Sequence, residues 1–392
     1  MINFARRYPF ILFTIPLVTG IGIGNSIVMS YTETAIFLLI LLLFIIILYR
    51  LSSLSVKEYA IPLLLIAIGV AVSNINLREI ITFPGLIENH ILPFIEKFRT
   101  ALIKKNQRII SAPEISALSN AIALGYKNDL PPQIKELFAK CGIMHIAAVS
   151  GLHVGAIFVL IKKGTSLIKG GFIYSKGSAI TATWIYTILS GLSPSAIRAA
   201  AILTYTTIGE SFNRSFSSLN GIFACFFITI IISPDTLYNL SFQLSYAAYI
   251  GIITLFPLFS PAKKGGNRIV KWIVASLSVS VAAQLLTLPI TIYYFNAIST
   301  NSFILNLAVI PLVSLLLYID IIALLLPSPL SCFLGEATRV TGRCIIDITE
   351  LIEPINIYVQ DIYISNEGII IYYITLLGAT IFIHKFLHHK TP

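Results

Sequence analysis

Four short stretches hold the side chains of this chain that could do chemistry. The densest runs Cys141-Gly-Ile-Met-His145-Ile-Ala-Ala-Val-Ser150-Gly151-Leu-His153-Val-Gly155. Ser150 and His153 are three residues apart, so a helix presents them on one face. A serine beside a histidine has the makings of an acyl-transfer nucleophile and its base. Side chains one helical turn apart rarely reach the geometry that reaction needs, because the base usually comes from another element. Gly151 and Gly155 form a small-xxx-small pair that lets a second helix approach closely.

The second stretch is Leu192-Ser193-Pro194-Ser195-Ala196-Ile197-Arg198-Ala199-Ala200. Pro194 and Ser195 open a helix, which puts Arg198 in its first turn. Either the arginine snorkels to the outer interface, or its guanidinium joins the free N–H groups of the helix start to hold an anion or phosphate. The third stretch is Asp235 followed by Ser241-Phe242-Gln243-Leu244-Ser245-Tyr246. The fourth is Gln284-Leu285-Leu286-Thr287-Leu288-Pro289, continuing to Phe295, Ser299, Asn301 and Asn306 before Pro311. One amide alone reads as an interhelical hydrogen bond of about 0.6 kcal/mol. Together they are neutral hydrogen-bonding groups on several helices around one cation. Such a lining wets a conduit for a polyanion without trapping it.

The elements that carry these residues belong to a membrane protein. Of 392 residues, 56% are hydrophobic and 11% charged, with a mean hydropathy of +0.88. A soluble domain carries about 25% charged residues, so a soluble globular fold, a disordered chain and an ordinary nucleic-acid-binding domain are excluded. Apolar runs of bilayer length fall at about 8–28, 33–49, 60–76, 143–161, 178–192, 196–209, 217–232, 241–258, 270–298, 302–326 and 369–387. The expected fold is all-α: a polytopic integral membrane protein of about ten transmembrane helices with re-entrant and interfacial amphipathic helices.

Arg6 and Arg7 place the N-terminus in the cytoplasm, as do the acid-free loops with Lys162, Lys163, Lys169 and Lys176 and with Lys263, Lys264, Arg268 and Lys271. Eleven full spans would put the basic C-terminus, with Lys385 and Lys390, outside. A dip and return at Pro289 by 270–298 removes the conflict, so that segment is predicted to be re-entrant. Two stretches are amphipathic and too polar to span. In 86–110, Ile91, Phe94, Ile95, Phe98 and Leu102 recur at helical spacing among Lys97, Arg99, Lys104 and Lys105. In 333–360, Ile345, Ile346, Ile348, Leu351 and Ile352 recur among acids. Four domains follow: N-terminal transmembrane helices over 1–78, an extracytoplasmic amphipathic helical linker over 79–142, a membrane core over 143–326, and interfacial helices with a final span over 327–392. Cys141, Cys225, Cys332 and Cys344 show no CxxC or metal-ligand spacing, so neither a metal nor any other cofactor is expected.

With those residues in view, the chain resembles the ComEC competence-protein family. The likeness lies in His145-Ile-Ala-Ala-Val-Ser150-Gly-Leu-His153-Val-Gly155, in Pro194-Ser-Ala-Ile-Arg198-Ala, in Asp235 with Phe242-Gln-Leu-Ser245, and in Gln284-Leu-Leu-Thr287-Leu-Pro289 with Asn301, Asn306 and Pro311. These blocks run in order from about Leu118 to Pro311. The resemblance implies a channel of the bacterial inner membrane that passes single-stranded DNA into the cytoplasm during natural transformation. It implies substrate-binding roles for His153, Arg198, Asp235, Gln243 and Gln284, with Ser150, Asn301 and Asn306 beside them. Longer members carry an OB-like domain and a metallo-β-lactamase-like nuclease domain; here 79–142 reads as helices, and six histidines so spaced cannot supply the nuclease's ligand cluster.

The expected chain is therefore not an enzyme. Its expected partners are the lipid bilayer, an extracytoplasmic DNA-capture protein, a separate nuclease and a cytoplasmic helicase-type motor, since no GxxxxGK[ST] occurs. Assembly as a homo-oligomer stays open. Two other readings stay open as well. One is a small-solute or lipid-head-group transporter on the same scaffold. The other is a membrane-embedded serine hydrolase, because the Ser-Gly context is superficially similar to that of intramembrane serine proteases; it requires Ser150 within about 3 Å of a base.

Overall fold

The structure is a computed structural model, described for residues 9–27, 29–51, 54–75, 90, 92–166, 171–211, 218–259, 267–300, 302–355 and 357–388. Arg6, Arg7, Lys169, Lys263, Lys264, Lys390 and the predicted site residue Asn301 lie outside the described residues. The chain is an all-α polytopic membrane protein. Helices Leu240–Phe259, Arg268–Phe295, Ser302–Leu325 and the Asn366–Ile383 stretch have the length and apolar composition to cross a membrane; shorter apolar helices cover Phe10–Gly24, Thr32–Leu43, Ile61–Asn74 and Leu219–Ile232. Packing divides it into two compact units that interleave in sequence, Met1–Phe94 with Ala201–Phe242 and Ile95–Ala200 with Gln243–Pro392.

In the first unit, α1 (Pro9–Gly24) packs along α3 (Leu54–Asn74), and α2 (Tyr31–Leu51) packs on α3 as well. The α1–α3 crossing brings backbone against backbone. A Cβ on Gly20 would lie 1.9 Å from the Ile66 carbonyl oxygen, and one on Gly69 would lie 2.4 Å from that of Leu17. Only glycine fits at such a crossing, and Leu17 and Ile21 beside it are fully buried. Later in the chain, α10 (Ser218–Ile232) joins α1. Asn220 accepts the Phe10 N–H at 3.2 Å, satisfying one free donor at the start of α1, and donates to the Tyr205 hydroxyl at 3.4 Å.

The second unit opens with α4 (Leu92–Ile109), α5 (Pro113–Leu124) and α6 (Pro132–Lys140). It continues with α7 (Gly151–Ser166), which packs on α8 (Gly171–Leu189), and with α9 (Pro194–Ser211), whose second half lies in the first unit. After α11 (Leu240–Phe259) come α12 (Arg268–Phe295), α13 (Ser302–Leu325), α14 (Leu330–Ile352) and α15 (Asn366–His388). The core lies around α13, where Leu305, Val309, Val313, Leu316 and Leu317 are fully buried. Helices α5, α7, α12 and α14 pack on it. Two three-residue strands, β1 (Ala297–Ser299) and β2 (Tyr358–Gln360), pair antiparallel with Ile298 opposite Val359 and tie the α12–α13 connection to the α14–α15 connection. On α15, Ile370, Ile371, Ile374, Leu377 and Phe382 are exposed, the mark of a lipid-facing helix.

Two expectations, the dip of 270–298 and the loop position of Lys176, need correction. The 270–298 segment is one uninterrupted 28-residue helix with Pro289 inside it; at 1.5 Å per residue it is about 42 Å long, so it does not dip and return. Proline removes the N–H that the Leu285 carbonyl would accept, and the Tyr372 hydroxyl donates to that carbonyl instead, at 2.9 Å. Within the 79–142 segment, every residue of α5 from Ile115 to Leu124 is buried. Two of the segment's cations turn inward to close helix ends. Arg99 Nε donates to the Leu124 carbonyl at 3.0 Å, and Lys105 Nζ donates to those of Leu324 and Leu326 at 2.8 and 2.7 Å. Lys176, read as a loop residue, lies inside α8 and is buried.

Candidate functional site

The start of α7 organises the main cluster, which lies wholly within the second unit. Ser150 is the residue before the helix, and its Oγ accepts the Leu152 N–H at 3.3 Å. His153, at the third helical position, reaches back so that its Nδ1 accepts the Ser150 N–H at 3.0 Å and meets Ser150 Oγ at 3.0 Å. This is a capping box with histidine in the place of the usual Glu or Gln. Because a backbone N–H can only donate, the neutral ring carries its proton on Nε2. That Nε2 is buried and has no hydrogen-bond partner among the described residues.

Helix α9 begins against the same turn. Ser193 and Ser195 both donate to the Val149 carbonyl, at 3.2 and 2.9 Å. One turn further, the Arg198 guanidinium sits over the Tyr246 ring at 5.1 Å, with Tyr246 on α11. The guanidinium also covers the first residue of α7, since a Cβ on Gly151 would be 3.8 Å from Arg198 Nη2 and 3.4 Å from Ala199 Cβ. The small residue at 151 thus places a cation beside the partly positive N-terminus of a 16-residue helix, with room for a single methyl but no more. Arg198 is half-buried, with Nε and Nη1 shielded from solvent, so it is held across this cluster rather than snorkelling freely.

A second polar group forms where α12 meets α13. Gln284 Nε2 donates to Ser302 Oγ, and Asn306, one turn along α13, is buried on the same face with Oδ1 unpartnered among the described residues. The turn before α7 touches this group. Gly142 has φ +69°, and a Cβ there would come within 2.9 Å of the Cβ atoms of Ser299 and Ser302. Gln243 lies half-buried on α11. Asp235 is exposed in the 3-10 turn Pro234–Tyr238 of the first unit, so the structure does not bring it into either cluster.

Sequence reasoning left Tyr246 and Ser302 out of the candidate set. Nothing in a one-dimensional pattern marks the ring beneath Arg198 or the hydroxyl that takes the Gln284 amide. The four cysteines are free, and among the described residues no cluster of His, Cys, Asp and Glu could hold a metal.

The family model described as Competence protein matches residues 122–386. Over 227 residues the chain is 25% identical to "ComE operon protein 3" of Bacillus subtilis, covering 55% of this chain and 28% of that protein. It is 22% identical over 251 residues to "Recombination protein 2" of Haemophilus influenzae, covering 60% of this chain and 32% of that protein. An uncharacterised protein of Aquifex aeolicus is 26% identical over 223 residues, covering 57% of this chain and 51% of that protein. The match thus spans about a third or less of the two named relatives. No solved structure matches the chain.

Proposed function

Because this chain belongs to the Competence protein family, we propose that it is a channel of the bacterial inner membrane that passes single-stranded DNA into the cytoplasm during natural transformation. The observation that carries the reading is the Arg198 guanidinium held between the Tyr246 ring and the N-terminus of α7. A guanidinium beside a helix N-terminus is suited to a phosphate oxygen, and His153, in the first turn of the same helix, carries a buried Nε2–H donor. The amides of Gln243, Gln284 and Asn306 supply neutral hydrogen-bonding groups that let a polyanion move on. In this reading the N-terminus is cytoplasmic, a separate capture protein delivers DNA, a separate nuclease removes the other strand, and a cytoplasmic helicase-type motor draws the strand in.

One observation favours a second reading. Ser150 Oγ lies 3.0 Å from His153 Nδ1, the distance that a serine hydrolase requires. The same nitrogen also accepts the Ser150 backbone N–H, and no acid orients the ring at Nε2 among the described residues. The capping box accounts for both contacts, so the channel reading is retained.

The test is transformation of a deletion strain complemented with this chain, scoring labelled DNA bound at the surface separately from DNA protected against added nuclease. Arg198→Ala lowers the protected fraction about tenfold or more, the worth of one charge-assisted contact, and leaves surface capture intact; His153→Ala lowers it as well. Wild-type uptake by both variants at normal protein levels refutes the site.

A further inference from the structure

Another polar cluster lies deep in the second unit, built from residues other than those of the Arg198 and Gln284 groups. Asp320 on α13 is fully buried, as are Asn106 on α4 and Ser119 and Asn120 on α5, while Ser116 is 2% exposed. Asn106 Nδ2 is 3.3 Å from Asp320 Oδ2, 3.0 Å from Asn120 Oδ1 and 3.2 Å from Ser119 Oγ. The Ser119 hydroxyl also hydrogen-bonds Asp320. Three oxygens thus crowd one NH₂ group that has two hydrogens to give.

The cluster is short of positive charge. Asp320 Oδ1, Asn106 Oδ1 and, on the same helix as Ser119, Ser116 Oγ are buried oxygens without a partner among the described residues, and Asn120 Nδ2 is a neutral donor in the same state. Among the described residues, several groups on the surrounding helices are engaged elsewhere. Lys105, the residue before Asn106, spends its ammonium on the Leu324 and Leu326 carbonyls. The Tyr186 hydroxyl, which feels the Asp320 charge, is 3.5 Å from the Ile122 carbonyl and donates to it. Arg343 of α14 pairs with Glu114 and Asp347, and Arg339 with Glu336, all at the surface. A bare carboxylate sealed from water without a counter-charge is strongly disfavoured.

We propose that Asp320, Asn106, Ser119 and Asn120 form a binding site for one monovalent cation, a proton or a sodium ion, seated on the Asp320 carboxylate. The donor set suits either occupant. A proton closes the carboxyl itself, and a sodium ion takes the carboxylate oxygens with the amide and hydroxyl oxygens, the hard ligands such an ion prefers. The site stands independently of what the chain conducts, because it shares no residue with the Arg198 cluster.

The test is infrared difference spectroscopy on the full chain in liposomes. One arm exchanges acidic for alkaline buffer without sodium. The other exchanges choline for sodium chloride at constant pH and ionic strength. A carboxyl C=O band that appears in the first arm and is absent from Asp320→Asn identifies a proton. A carboxylate band that shifts in the second arm and is absent from that variant identifies sodium. Glu136→Gln, a change at an exposed carboxylate, leaves either signal in place. If Asp320→Asn does not insert as a uniform species, Asp320→Glu must show a displaced band in the same arm. Coincident spectra of wild type and Asp320 variant in both arms overturn the proposal.

Discussion

The Tyr372 hydroxyl donates at 2.9 Å to the carbonyl of Leu285, the acceptor that Pro289 leaves without a helical partner. The next tyrosine, Tyr373, donates at 2.8 Å to the Leu286 carbonyl. Two consecutive hydroxyls from α15 therefore repair the α12 backbone where proline interrupts it, which is how a proline-bearing span stays whole in a medium without water. Tyr372→Phe leaves the Leu285 carbonyl unpaired and is expected to cost about 0.6–1.7 kcal/mol. Unfolding in mixed micelles with increasing denaturing detergent measures this, with Tyr363→Phe, an exposed change, as the control. Equal midpoints for the two variants remove the repair role.

An unbroken α12 also fixes a topological relation. Its ends, Asn267 and Thr300 just beyond it, should face opposite sides of the membrane. In a chain with its four native cysteines replaced, an impermeant maleimide added to intact cells labels either Asn267→Cys or Thr300→Cys, and the other only after permeabilisation. Labelling of both from one side restores the dip at Pro289.

The histidine capping box separates structure from function at one position. In His153→Gln the amide oxygen can still accept the Ser150 N–H, as glutamine does in an ordinary capping box, but the ring nitrogen at the Nε2 position is gone. Expected stability is near wild type for Gln and about 1 kcal/mol lower for Ala, while DNA uptake falls in both. Uptake that tracks stability alone reduces His153 to a cap. The same geometry predicts that Ser150 is not labelled by a fluorophosphonate probe, since its hydroxyl is engaged at the helix start; covalent labelling at Ser150 favours the hydrolase.

How far the sequence reached depends on the kind of information involved. The apolar spans were plain, because Leu305, Val309, Val313 and Leu316 sit in a long run with one acid, Asp320. That acid was itself a readable sign of a buried site. The buried side of α5 gives no such sign, because Ser116, Ser119 and Asn120 look like a solvated face, whereas Ser119 and Asn120 turn toward Asn106, and through it toward Asp320. Arg99 and Lys105 look like surface charge in sequence because their acceptors are backbone carbonyls at the C-terminal ends of α5 and α13. The Ser150–His153 spacing was legible as a contact, but its capping role needs the helix to start at Gly151. The Arg198–Tyr246 pair joins residues far apart in sequence and leaves no local trace.

Gly151 gives the sharpest test of the Arg198 cluster, because it changes the site without touching its charge. A Cβ at 151 meets Ala199 Cβ at 3.4 Å and Arg198 Nη2 at 3.8 Å, both ordinary contacts. Gly151→Ala should therefore fold and take up DNA within about twofold of wild type, helped slightly by the better helix propensity of alanine. A longer side chain cannot share that space with the guanidinium. Gly151→Leu should push Arg198 off the Tyr246 ring and lower nuclease-protected DNA as far as Arg198→Ala does, with little further loss in the double variant, since both remove the same contact. Gly155, one turn on, has open space around its Cβ position, so Gly155→Leu serves as the control for a bulky residue on the same helix. If Gly151→Leu keeps normal uptake, or if its loss adds fully to that of Arg198→Ala, the guanidinium acts elsewhere than at the α7 N-terminus.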